Sequence, residues 1–148
     1  MINSKPSWQV GLALVLCAVA MATMPLLATE APAPMSSGTT SLIIGLIALS
    51  GVASFAMFFG IASAVVLFIG AHGAAWLLLS GIAGNEGMAR MPYFLLLAAA
   101  WLLAWRCVAI LSGLKPTPPQ TRTFLRLLIP ALFGAWILII WEAVTRGA

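Results

Sequence analysis

Apolar positions in this chain come in long unbroken blocks separated by short polar stretches. The first block, Val10 to Leu27, reads VGLALVLCAVAMATMPLL. At about 1.5 Å per residue it just crosses a hydrocarbon core of about 30 Å. Lys5 precedes it and Trp8 stands at its start, the order expected of an interface anchor. Ala20-Met21-Ala22 has the small-x-small form of a leader cleavage site. Because the apolar run continues past that site, a retained anchor is preferred to a cleaved leader. The next segment, Ala28 to Ser41, is rich in Pro, Ser, Thr and Gly and has no Lys or Arg. It is predicted to be an extended external loop.

The block Leu42 to Gly84 would be about 60 Å long as one straight helix, twice the bilayer core. No charge marks a break in it. A turn near Gly60 divides it into two spanning halves, whereas a turn at Gly70 to Gly73 leaves a short remnant. The polar loop Asn85 to Met91 follows, then Pro92, placed for the first turn of a helix that ends near Leu111. The connector SGLKPTPPQTRT holds three prolines and is predicted to be stiff and non-helical. The last apolar block, Phe124 to Thr145, contains Pro130 as a possible kink, which membrane helices tolerate.

Charge chooses between one crossing and two for Leu42 to Gly84. With two crossings, the connector carrying Lys115 and Arg122, with Arg126 just beyond, is cytoplasmic, as the positive-inside rule prefers. The expected protein is therefore all-α and polytopic, with spans 10–27, 42–60, 63–83, 92–111 and 124–145. Its loop 28–41 is external, its connector 113–123 cytoplasmic and its amino terminus inside a bacterial-type inner membrane. Four spans is the alternative.

Composition supports this class. Of the 148 residues, 63% are hydrophobic and 7% charged, and mean hydropathy is +1.12. So few charges cannot cover a soluble globule. The net charge of +4 comes from basic residues scattered at segment ends, which argues against nucleic-acid binding, since that needs clustered cations. Cys17 and Cys107 sit inside apolar runs and act as small hydrophobes.

Few residues could carry chemistry. Arg106 lies well inside a predicted span, where a charge is a functional candidate by default. Snorkelling toward the cytoplasmic headgroups is the preferred reading; a carboxylate partner or a substrate contact are the rivals. His72 is the sole histidine, which is too few for a bis-histidine haem or a metal site. It reads as an interhelical hydrogen-bonding group or a residue lining a turn, with ligation of a pigment or a metal the rival. Glu86 and Glu142 both fall near the outer boundary, and neither has a second acid nearby in sequence, so paired-acid chemistry is unsupported. Trp141 and Glu142 read as an interfacial helix end. Ala56, Gly60 and Ala64 would form a close-packing stripe on one helix, in conflict with a turn at Gly60. No phosphate-cradling loop occurs, and neither an enzyme nor a cofactor is expected.

The segment Phe124 to Ala148, FLRLLIPALFGAWILIIWEAVTRGA, resembles the first core span of binding-protein-dependent ABC transporter permeases of the nitrate/sulfonate/taurine class. The residues that carry the resemblance are Arg122, Arg126, Leu127, Leu128, Pro130, Trp141, Glu142 and Arg146. It implies a basic cytoplasmic end and an outer Trp-Glu end. It also implies that the remaining permease spans and the loop that docks on the ATPase lie outside this chain. The first four spans would be an amino-terminal extension. Two functions follow as expectations. One is a non-catalytic segment of an ABC importer permease, whose partners are lipid, further permease spans and an ATPase. The other is a small structural subunit of a larger respiratory or photosynthetic membrane complex.

Overall fold

The computed structural model describes residues 8–56, 60–113 and 119–148. Lys5 and Lys115 lie outside them. Five helices follow in order: α1 (Trp8–Ala22), α2 (Ser37–Ala56), α3 (Gly60–Ile82), α4 (Met91–Gly113) and α5 (Pro119–Gly147). The turn expected at Gly60 to Ser63 does not form there, because α3 already begins at Gly60. Among the described residues there is no strand, only an isolated antiparallel bridge between Leu27 and Ala89. Four helices, α2 to α5, are long and apolar enough to cross a membrane. The chain is a multi-pass helical membrane protein.

Three helix ends depart from the sequence expectation by five residues, each for a local reason. The first span was expected to reach Leu27, but α1 stops at Ala22 after 15 residues. Pro25 disfavours helical backbone at Met24, and Thr23 turns its hydroxyl back to the Val19 carbonyl at 2.8 Å. The second span was expected from Leu42, but α2 begins at Ser37. Ser36 acts as its N-cap, its hydroxyl accepting the Thr39 amide at 3.1 Å. The connector was expected to be non-helical through Thr123, yet α5 starts at Pro119. Proline suits a first helical position, where its missing N–H would have no partner. Helix α5 then runs without a break through Pro130.

The helices alternate in direction. At one end Trp8 of α1 meets Trp105 of α4, ring centroids 5.0 Å apart, and the Ser63 hydroxyl of α3 reaches the Ser54 carbonyl of α2 at 3.3 Å. At the other end the α1–α2 loop bridges the α3–α4 loop. The stretch Leu42 to Gly84 thus forms two antiparallel helices. Ala56 closes α2 and Gly60 opens α3, so the stripe with Ala64 does not lie on one helix.

Small residues bring the central helices close, which in lipid replaces the missing hydrophobic drive between helices. A Cβ at Gly70 of α3 would collide with the Ser50 side chain of α2. The Cys107 thiol of α4 donates to the Ala64 carbonyl of α3 at 3.2 Å. Leu67, Leu78, Leu96 and Leu103 fill the interior with no exposure. Helix α5 lies outside this four-helix group; among the described helices it touches α3 and α4. Within the chain, 17% of its most apolar stretch is buried, against 50% for α4.

Candidate functional site

The sequence candidates do not converge on one centre. His72 is midway along α3, Arg106 is near the connector end of α4, and Trp141 and Glu142 are near the opposite end of α5. What the fold assembles is a polar cap at the far end and polar links between helices inside the layer.

The cap joins the α1–α2 loop, the α3–α4 loop and the end of α5. The Ala28 amide donates to the Met88 carbonyl at 2.7 Å and the Arg90 amide to the Leu26 carbonyl at 2.9 Å. The amides of Gly87 and Ala89 donate to the carbonyls of Arg146 and Gly147 at 2.8 and 3.2 Å. Those carbonyls end α5 and have no partner within their helix. Asn85 is 1% exposed. Its carboxamide exchanges two bonds with the Ala33 backbone, at 2.9 and 2.7 Å, and donates a third to Gly81 at 2.9 Å. Arg90 donates its guanidinium to the Pro25 carbonyl at 2.9 Å.

Glu86 and Glu142, which have no carboxylate neighbour in sequence, come to one guanidinium. Arg146 lies 3.3 Å from each. The backbone amides of Glu86 and Gly84, and more weakly Arg146, hold the Glu86 carboxyl below its ordinary value. Both carboxylates are about half exposed, so the pairing is a tether and not a reactive dyad.

One inner link joins α3 to α5. The Trp136 indole N–H donates to His72 Nε2 at 3.2 Å. The other ring nitrogen, Nδ1, is 2.9 Å from the Phe68 carbonyl. The carbonyl can only accept, so Nδ1 carries the proton and Nε2 is free to accept from Trp136. Phe68 stacks on the imidazole, centroids 4.1 Å apart. Both nitrogens thus have partners within the protein. Among the described residues no three metal-binding side chains gather. Tyr93 makes a similar link, its hydroxyl donating to the Leu78 carbonyl at 2.8 Å.

Arg106 is half-buried on α4 and makes no ion pair among the described residues. Trp141 points outward, 67% exposed. Sequence reading passed over Asn85 and Tyr93, took Arg90 only as a segment-end cation and placed Trp136 only in interface belts or packing. A cue existed for Asn85 and Arg90, since both are polar residues in a tight loop. None existed for Trp136, whose partner is 64 positions away.

No family model matches the chain, and no curated protein or solved structure shows a significant match to it.

Proposed function

We propose that the chain is a non-catalytic helical segment of an ABC importer permease in a bacterial-type inner membrane. On this reading α1 to α4 form an accessory bundle, and α5 is the helix that meets further permease spans. The proposal rests on the resemblance of residues 122–148 to the first core span of such permeases. The observation that carries it is the state of α5. Leu127, Ala131, Gly134, Leu138 and Trp141 share its outward face and are exposed along most of its length. A Cβ at Gly134 would meet nothing within 4 Å. A helix with a small residue midway along a wholly uncovered face is suited to close approach by another helix.

Arg106, Arg122 and Arg126 lie toward the connector end and Lys115 belongs to the connector itself, against Arg90 and Arg146 at the cap end. This distribution supports a cytoplasmic connector and an outer cap. Import would require the remaining spans and an ATPase.

The test is purification of the tagged chain from its native membrane in mild detergent, followed by identification of co-eluting proteins. Permease core spans or an ATPase are expected. The variant Gly134→Phe should fold normally and lose those partners. Co-elution with an electron-transfer complex would replace the proposal with a structural-subunit role. A chain that elutes alone and drives solute flux in liposomes would refute both.

A further inference from the structure

Helices α4 and α5 part along a lateral groove that opens toward the membrane. Trp101, Trp105 and Val108 form the α4 wall, and Phe133, Trp136 and Ile137 the α5 wall. No charged residue lines it. Trp101 and Trp105 are each 38% exposed, so the chain leaves part of each indole uncovered.

Helix α5 connects this groove to the basic end of the molecule. At about 100° per residue, Arg122 and Arg126 fall on the same flank of α5 as Phe133 and Ile137. Arg126 precedes Phe133 by about 10 Å of helix, a distance that a long arginine stem and a headgroup together span. Arg122 and Arg126 are exposed and make no ion pair among the described residues. No carboxylate of the chain is near them, because Glu30, Glu86 and Glu142 all lie at the cap end. Their counter-charge must come from outside the chain.

We infer that this flank binds an anionic phospholipid, its phosphate on Arg122 and Arg126 and one acyl chain laid in the α4–α5 groove. Guanidinium groups match phosphate oxygens in paired hydrogen bonds. The aromatic walls supply dispersion contacts to the chain. A zwitterionic lipid carries its own cation beside the phosphate, so it gains less from the arginines. The bound lipid fills the gap between α5 and the four-helix group and steadies a helix that the protein covers poorly.

The experiment uses the full chain with Trp8→Phe, Trp76→Phe and Trp141→Phe, which leaves the three groove tryptophans as fluorophores. The protein is placed in phosphatidylcholine bilayers containing a minor fraction of brominated-chain phosphatidylglycerol or, separately, brominated-chain phosphatidylcholine. Each arginine near the surface favours an anionic lipid about fivefold. Half-maximal quenching by the phosphatidylglycerol is therefore expected at a mole fraction at least about fivefold lower. The double variant Arg122→Gln/Arg126→Gln, at exposed positions with unchanged helix content, should quench alike with both lipids. Equal quenching in the arginine-bearing protein would overturn the inference. A phosphatidylglycerol preference that survives in the double variant would do so equally.

Discussion

Midway along α3, His72 has both ring nitrogens engaged, one by Phe68 and one by Trp136 of α5. Interhelical hydrogen bonds in lipid are worth about 0.6 kcal/mol on average and seldom exceed about 1.7. A double-mutant cycle of His72→Phe and Trp136→Phe should therefore give a coupling of about 0.6 kcal/mol. Unfolding in mixed detergent micelles measures it, and zero coupling would remove the link. At the cap, Glu86 has a lowered carboxyl pKa because the amides of Glu86 and Gly84, and then Arg146, favour its charged form. A carboxylate depressed by folding stabilises the folded state above its unfolded pKa. That contribution is lost as pH falls through the folded value. The tether of α5 to the α3–α4 loop should hold at neutral pH and weaken below about pH 4. Hydrogen exchange at the amides of Gly87 and Ala89 reports this. Glu86→Gln should remove the acid-dependent part.

Between helices, the decisive contacts are made by residues too small to register in a hydropathy profile. Gly70 lets α3 approach α2 so closely that even a methyl group would strike Ser50. Gly70→Ala improves helix propensity by about 1 kcal/mol. Overpacking opposes this by about 1–3 kcal/mol. Net destabilisation of the α2–α3 pair is expected, and Ser50→Ala in the same chain should recover part of it by removing the hydroxyl. Unfolding midpoints of the two variants check this; a Gly70→Ala protein more stable than its parent would show that the helices are free to separate. Helix α5 is the converse case. It is the longest helix, at 29 residues, and among the spanning helices the least covered. Length and apolarity therefore say nothing about which helix is central.

For the whole molecule, five antiparallel helices place the first and last described residues at opposite ends. The proposed orientation puts the start of α5 in the cytoplasm and the start of α2 outside. Single cysteines at Gln120 and Ser37, both exposed, test it in a chain with Cys17→Ala and Cys107→Ala. In intact cells an impermeant thiol reagent should label Ser37→Cys and spare Gln120→Cys. The reverse pattern would invert the protein in its membrane.

Apolar block length was enough to establish a helical membrane protein, because a spanning backbone must satisfy its own hydrogen bonds in lipid. Within the described residues it placed α3 and α4 to within three residues at each end. It missed the short ends, where one side chain decides: Pro25 stopping α1, Ser36 starting α2, Pro119 starting α5. For His72 the sequence offered an interhelical hydrogen bond or a place at a turn and could name no partner. Tertiary structure alone brought Glu86 and Glu142 to one arginine, gave His72 its partner Trp136 and left α5 at the margin of the bundle. Those outcomes depend on which faces of separate helices meet. Helices apolar on all sides carry no amphipathic stripe to say which face turns inward.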